Sequence, residues 1–334
     1  MKMNSHKLLF MSILLLSTLV TASSSNWLGM WMGLEMNLMS FIPLMSKSKN
    51  KKASQAMMIY FLTQSVGSVM LLFSVLSNSL ALLEFVMINE LSMIMIMISI
   101  MIKVGAAPFH FWLPEMMANL SWYECMVLMT WQKVAPLVVF NNIYPSNWFL
   151  YLSVMLSVIV GGVGGLNQTS LRKLLAYSSI SHVGWMFTFV SVSYSWYKYL
   201  IIYSMLIIMI CTMLNKKNIY FISQMTSSSS SLMENFTYTV LFLSIGGLPP
   251  FLGFLPKWMV LQEMINSNMY MLMLIILLFS LLPLFYYIRL MTSIMLSYSM
   301  VNKWAYSPPT NTWLLIMFLL VNMMLPMFMA LGFV

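Results

Sequence analysis

Six residues of this chain could handle protons where water is scarce: Glu35, Lys103, Lys133 and Lys257, with His110 and His182 spaced between the lysines. Each of the four charges falls within, or beside a break of, an otherwise apolar stretch. One lysine near a bilayer midplane costs about 2.5–3.5 kcal/mol, so four such charges cost on the order of 10 kcal/mol unless they pair or meet water. Lys103 and Lys133 lie about ten residues from either end of their stretches, too deep to snorkel, whereas Lys257 at a break could. A lysine withdrawn from water can take up and release a proton near neutral pH, and a carboxylate whose distance changes would load or unload it. Glu35 is the expected carboxylate for Lys103. The histidines fit proton relays between the lysines, and equally fit buried neutral imidazoles held by one hydrogen bond. For the charges, the plainer alternative is a pair of structural ion bridges.

A pair of interrupted helices is expected to position these groups. Ser99 to Met116, SIMIKVGAAPFHFWLPEM, sits inside a hydrophobic span yet carries Lys103, His110 and Glu115 and is broken by Pro108 and Pro114. An interior proline removes a helical hydrogen bond and costs roughly 3 kcal/mol. Membranes tolerate such interruptions where they line a cavity or pack against protein, and in transporters they mark ion sites. A second copy follows at Gly246 to Trp258, GGLPPFLGFLPKW, broken by Pro249, Pro250 and Pro256. A shift of 142 residues lays Gly105 on Gly247, Pro108 on Pro250, Phe109 on Phe251, Leu113 on Leu255 and Pro114 on Pro256, with Trp112 on Phe254. Five expected spans separate the copies, an odd number, so the second is read as inverted. The charges do not repeat: Lys103 meets Ile245, and Lys257 meets Glu115.

The 334 residues are 61% hydrophobic and 7% charged, with mean hydropathy +0.87, more apolar surface than a soluble domain needs. The expected fold class is an all-α polytopic membrane protein. Apolar stretches predict about eleven transmembrane helices, at roughly 8–25, 27–46, 54–77, 90–117 (interrupted), 121–141, 148–168, 172–194, 197–214, 234–265 (interrupted), 269–295 and 311–333. Spans near 20 residues match a hydrocarbon core of about 30 Å. They group as one transmembrane domain: repeat one over about 8–141, repeat two over about 148–295, and a C-terminal helix over about 311–333. The first stretch, preceded by Lys2 and Lys7, has the look of a signal peptide but lacks an A-x-A site and continues the pattern of the rest. Gly161, Gly162, Gly164 and Gly165 suit close helix packing, having neither the strand nor the lysine of a phosphate loop. Segment 215–231, with its five-serine run, reads as a mobile linker.

A net charge of +9 could point to nucleic acid, but the lysines fall in short loops between apolar spans. With eleven spans, Lys2, Lys7, Lys47, Lys49, Lys51, Lys52, Arg172, Lys173, Lys216, Lys217 and Lys303 share one side, and Lys198 lies opposite with Glu84 and Glu90. That bias puts the N-terminus on the positive (matrix or cytoplasmic) side and the C-terminus opposite. Of the remaining glutamates, Glu115 and Glu124 read as interfacial, and Glu234 and Glu263 as loop or helix-end charges. Cys125 and Cys211 make no CxxC and read as buried structural thiols, without a metal, cluster or disulfide framework. No nucleotide, flavin or haem motif is present, so redox chemistry is not expected of this chain. The forty methionines fit either flexible core filler or the codon usage of animal mitochondria.

WLGMWMGLEMNLMSFIPL, KVGAAPFHFWLPE, TWQKVAPL, GGLNQTSLRKLLAYSSISHVGWM and LSIGGLPPFLGFLPKW are similar to motifs of the NADH–ubiquinone oxidoreductase chain 2 family, mitochondrially encoded antiporter-like subunits of respiratory complex I. The resemblance runs from the first span through the tenth. It implies proton translocation from matrix to intermembrane space, driven by electron transfer in partner subunits that hold NADH, FMN, iron–sulfur clusters and ubiquinone, with no cofactor in this chain. It implies that Glu35 in GLEMN modulates Lys103 in KVGAAPFHFW, that Lys133 in WQKVAP connects, and that Lys257 in FLPKW stands near the far half-channel. It further implies the mitochondrial inner membrane, with the N-terminus in the matrix and the C-terminus in the intermembrane space. The implied partners are other membrane-arm subunits, including the sibling antiporter-like chains, accessory subunits, and phospholipids with cardiolipin a candidate; no nucleic acid is expected. Eleven spans match a pattern in which three N-terminal helices of the longer siblings are missing, leaving a face for partners. Two other readings compete. One is a scaffold subunit of the same complex that pumps nothing; the other is a stand-alone cation/proton antiporter, expected to carry an aspartate-rich site that this chain lacks.

Overall fold

The computed structural model describes residues 5–46, 51–80, 86–143, 147–193, 195–228, 232–299 and 312–325. Among them every regular element is helical, and the strand-like contact present is a single bridge between Ser170 and Phe221. Contacts divide the chain into two compact units, Met1–Ser157 and Val158–Val334.

In the first unit, α1 (Ser5–Ser23) and α2 (Trp27–Met45) pack on each other. A Cβ on Gly33 would stand 2.3 Å from Thr21 Cγ2, the close small-residue approach by which membrane helices gain van der Waals contact. α3 (Lys51–Leu80) runs 30 residues, about 45 Å at 1.5 Å per residue, and packs on α4 (Val86–Val104). Gly67 of α3 leaves room for Lys103, whose Cγ lies 3.1 Å from where a Cβ would be. α4 ends at Gly105, where φ is +78°. There the Gly105 and Ala106 N–H groups both donate to the Met101 carbonyl, at 2.9 and 3.0 Å, a helix stop that glycine closes without a Cβ penalty. The chain resumes as α5 (Trp112–Asn119), α6 (Trp122–Met129), a 3-10 turn at Trp131–Lys133, and α7 (Val134–Asn141).

The unit boundary falls within α8 (Asn147–Gly165). Its glycines pack helices as expected. A Cβ on Gly161 would stand 2.6 Å from the Ser181 nitrogen of α9 (Leu171–Val192), and one on Gly165 would stand 2.6 Å from Tyr286 of α14 (Tyr270–Ser299). α10 (Trp196–Lys217), α11 (Ile222–Ser228), α12 (Leu232–Gly246), α13 (Phe254–Asn266) and α15 (Thr312–Asn322) complete the second unit. α12 stops as α4 does: Gly247 has φ +81°, and the Gly247 and Leu248 N–H groups donate to the Leu243 carbonyl at 3.1 and 3.3 Å. Residues 243, 247 and 248 are 101, 105 and 106 shifted by 142, and the helices resume at Trp112 and Phe254 with the same shift. The repeated letters are a repeated backbone stop.

Four expectations change. The stretch 121–141 is not one helix, because Pro136 has no N–H for the Gln132 carbonyl and its ring crowds that oxygen. Pro114 and Pro256 do not stand in the gaps but at the third residue of α5 and α13, where a missing N–H would lack a helical partner anyway. Of segment 215–231, residues 215–228 are described and are not a free linker: Leu171 N–H donates to the Tyr220 carbonyl at 3.0 Å, Ile222 N–H to the Thr169 carbonyl at 3.2 Å, and α11 follows. The count of eleven spans is not established. Among the described residues five unbroken helices have the length and apolarity to cross a membrane, Ser5–Ser23, Lys51–Asn78, Trp148–Gly165, Trp196–Lys217 and Tyr270–Leu296. α15 stops after 11 residues, about 16 Å. Lys2, Lys47, Lys49, Lys303 and Glu84, used in the charge argument, lie outside the described residues.

Gly253 stands where α13 begins, and a Cβ there would lie 1.7 Å from the Ser244 carbonyl oxygen, backbone that cannot swing aside. Gly253→Ala is expected to cost about 3 kcal/mol or more and to deplete assembled protein when membranes are mildly heated. Gly246→Ala, whose Cβ meets nothing nearer than 3.6 Å, is expected to survive like wild type. Equal survival of the two variants would refute the close approach.

Candidate functional site

In the first unit Lys103 and Lys133 line one cavity of about 20 Å³, room for about one water molecule. Lys103 is the penultimate residue of α4 and Lys133 the last of the 3-10 turn; they are 7% and 2% exposed. Asn37 of α2, Tyr60 and Gln64 of α3, and Gln132 supply its polar wall. The ending of α4 explains why these groups converge. Its last carbonyls have no helical partner, and three of them find donors. Met101 takes the two backbone N–H groups, Ile102 accepts from Trp112 Nε1 at 3.1 Å, and Lys103 accepts from Gln64 Nε2 at 3.1 Å. Tyr60 donates to Gln132 Oε1 at 3.2 Å. Asn37 Oδ1 and Gln132 Nε2 are buried and make no hydrogen bond among the described residues. A water in the cavity would find an acceptor and a donor there. Glu35, half-buried on α2, lies within electrostatic reach of Lys103.

Lys257 has its own site in the second unit. It is the fourth residue of α13, 8% exposed, and its Nζ donates to the carbonyl of Gly246, the last residue of α12, at 2.6 Å. The carbonyl end of a helix carries roughly half a negative charge, so this ammonium rests on a helix terminus. Its Nζ also lies 5.9 Å from the Trp185 ring centre, in cation–π range. His182, one turn before Trp185 on α9, shares a 2.8 Å hydrogen bond with Tyr199 and stacks 4.9 Å from the Tyr203 ring. His110 lies in the gap before α5, with Nδ1 3.2 Å from the Pro108 carbonyl and its ring against Phe111, off the cavity wall. The gaps hold Pro108 in one case and Pro249 and Pro250 in the other. Glu35, Lys103 and Lys133 thus gather in the first unit, and His182 and Lys257 stand in the second.

Glu124, read as interfacial, and Glu234, read as a loop or helix-end charge, are both buried, the latter in the first turn of α12. Glu124, 3% exposed, accepts the Ser121 N–H at 2.9 Å in a capping box, a role that the S-x-x-E spacing already spells. Glu234, fully buried, pairs with Lys217 across α10 and α12, and nothing local signals it because the partners are 17 residues apart. The amides of Asn37 and Gln64 were legible only as polar residues in apolar helices. Cys125 and Cys211 are buried and in no disulfide, and among the described residues no three His, Cys, Asp or Glu side chains gather.

A family model described as NADH:quinone oxidoreductase/Mrp antiporter, transmembrane, matches residues 24–283. NADH-ubiquinone oxidoreductase chain 2 of Locusta migratoria is 44% identical over 310 residues, 92% of this chain and 91% of that one. Its counterpart in Anopheles gambiae is 43% identical over 307 residues, 89% of this chain and 88% of that one. Among solved structures, a chain of respiratory complex I from Thermus thermophilus with bound aureothin matches with a TM-score of 0.83 at 21% identity, over 97% of this chain and 78% of that one. At that identity the likeness speaks for the fold alone. With curated relatives of this closeness along most of its length, this helical, multi-pass membrane chain belongs to the NADH-ubiquinone oxidoreductase chain 2 family.

Proposed function

We propose that the chain is a proton-translocating core membrane subunit of respiratory complex I in the mitochondrial inner membrane, with its N-terminus in the matrix and its C-terminus in the intermembrane space. Protons move from matrix to intermembrane space through Glu35, Lys103, Lys133 and Lys257. Electron transfer from NADH to ubiquinone, in partner subunits that hold FMN and iron–sulfur clusters, drives them. The interrupted helices belong to two inverted repeats, about 8–141 and 148–295, followed by a C-terminal helix at about 311–333. Other membrane-arm subunits, the sibling antiporter-like chains, accessory subunits and phospholipids surround it.

The observation that carries this reading is the cavity shared by Lys103 and Lys133. Two ammonium groups facing one small, poorly solvated space repel, so a proton on one lysine disfavours a proton on the other. That repulsion makes the pair a transfer step. Water in the cavity accepts a proton from the Lys103 ammonium and releases one to the neutral Lys133 amine. Glu35 provides the bias: its negative charge favours the proton on Lys103, and neutralising or withdrawing that charge sends the proton on. Lys257, resting on the Gly246 carbonyl, is the later store.

Lys103→Met in respiratory membranes is expected to lower NADH-driven turnover or protons pumped per electron several-fold while the complex still assembles. Normal turnover and normal stoichiometry would leave the chain a scaffold. Lys133→Met is expected to behave alike, and the double variant to be no worse than the more impaired single one, because residues acting in series are not additive. Multiplying losses in the double variant would mean two separate routes.

A further inference from the structure

Three uncharged residues of α3 bear on both lysines of the first unit's cavity. Tyr60, Gln64 and Gly67 stand at i, i+4 and i+7, one face of a helix. Gln64, buried, gives its Nε2–H to the Lys103 carbonyl at 3.1 Å. Gly67 opens a notch for the Lys103 stem: a Cβ there would stand 3.1 Å from Lys103 Cγ and 3.3 Å from the Ser99 carbonyl oxygen. Tyr60, also buried, gives its hydroxyl proton to Oε1 of Gln132 at 3.2 Å, and Gln132 immediately precedes Lys133. The Tyr60 ring is held in turn by Phe41 of α2, edge to face at 5.2 Å, and by Trp112 of α5 at 6.1 Å.

Both lysine-bearing segments need such a hold. The Lys103 carbonyl belongs to the last turn of α4, where no helical donor reaches it. Lys133 lies in a 3-10 turn, whose hydrogen bonds are poorer than those of an α-helix, beside the break set by Pro136. Left to themselves, the two segments would be free to shift against each other. α3 is an unbroken helix of 30 residues, so the Cβ atoms of Tyr60 and Gln64 keep about 5–6 Å between them. A single water bonds two nitrogens only when each comes within about 3 Å of it. The repulsion between two ammonium groups varies inversely with their separation. Both quantities follow from how far apart Lys103 and Lys133 are held.

We propose that Tyr60, Gln64 and Gly67 are positioning residues, which make α3 the frame that sets the separation of Lys103 and Lys133. This rests on the lysine row proposed above. Gln64 fixes the backbone of one lysine, Gly67 seats its stem, and Tyr60 fixes the residue before the other. None of the three moves a proton in this role. Gln64 in particular bonds a backbone carbonyl, which passes no proton on.

The test uses respiratory membranes carrying Tyr60→Phe, Gln64→Met, Lys133→Met, and each of the first two combined with Lys133→Met. They are read for NADH-driven turnover, protons pumped per electron and the pH profile of both. Phenylalanine keeps the ring between Phe41 and Trp112, and methionine keeps the length of glutamine, so each variant removes one donor. Each single α3 variant is expected to lose about twofold or more in turnover or pumping with a displaced pH profile, because a misplacement of even about 1 Å is costly to a transfer step. In the Lys133→Met background neither is expected to lose anything further, since no second lysine is left to space. An unmoved pH profile, or a loss that multiplies in that background, would make these residues structural and overturn the frame. A defect in one α3 variant with the other normal also refutes it, since a frame needs both holds; if Tyr60→Phe is the impaired one, its hydroxyl works on the proton itself. Normal function in both, with Lys133→Met impaired, removes the frame and leaves the lysine row standing. Normal function in Lys133→Met takes that lysine out of the row, and the frame with it. Failure of either α3 variant to assemble makes that residue structural and likewise overturns the proposal.

Discussion

An ammonium group in an apolar interior must find lone pairs, and in this chain the buried lysines stand where helices break. Lys103 is one residue from the end of α4, Lys133 closes a 3-10 turn between two helices, and Lys257 lies in the first turn of α13. A continuous helix consumes its own carbonyls; only its end leaves them open. Breaking a helix inside a membrane exposes backbone groups that would each cost several kcal/mol in hydrocarbon. Placing a buried lysine at the same point lets one penalty offset part of the other. The Lys257 bond to Gly246 is the plainest instance.

The two stops share a backbone but are completed differently. In the first copy, Trp112 opens the resumed helix and turns its indole N–H onto the Ile102 carbonyl. In the second copy the equivalent residue is Phe254, which has no donor. The Ser244 carbonyl, the counterpart of Ile102, accepts from the Gly247 N–H at 3.0 Å, and Lys257, three residues on from Phe254, donates to the Gly246 carbonyl. One break is therefore sealed by a neutral donor and keeps its lysine just ahead of the stop. The other is sealed by the lysine itself. Repeating the stop without repeating the charges gives one architecture two different surroundings for a buried lysine.

Much of this was legible because glycine and proline act locally. Gly105, Gly247, Pro108, Pro249 and Pro250 mark the gaps at the positions where the helices stop, since positive φ and a missing N–H need no tertiary partner to act. The break at Lys133 was equally local, written in Pro136 four residues after Gln132, and so was the Ser121–Glu124 capping box. The cavity wall was not legible. Tyr60 meets Gln132 across 72 residues, so no window of sequence contains both partners. Segment 215–231 misled for the same reason: its serines describe composition, while its anchor is Thr169 to Leu171.

Unbonded donors are the more expensive kind of buried orphan, because a carbonyl-type oxygen tolerates an empty lone pair better than an N–H or O–H tolerates no acceptor. Asn141 and Asn322 leave only an amide oxygen unbonded, and the Asn322 nitrogen reaches the Phe318 carbonyl at 2.9 Å. Among the described residues the unbonded donors include Gln132 Nε2 and Asn235 Nδ2. Both stand close to ionisable groups: Gln132 beside Lys103 and Lys133, and Asn235 next in sequence to the Glu234 that pairs with Lys217. Packing alone would favour leucine or phenylalanine at both places, and only 7% of the chain is charged. Donors kept at a cost beside the few charges present are what the proposed proton path calls for, since a proton needs groups that can both give and receive, and a core built only for stability would have removed them.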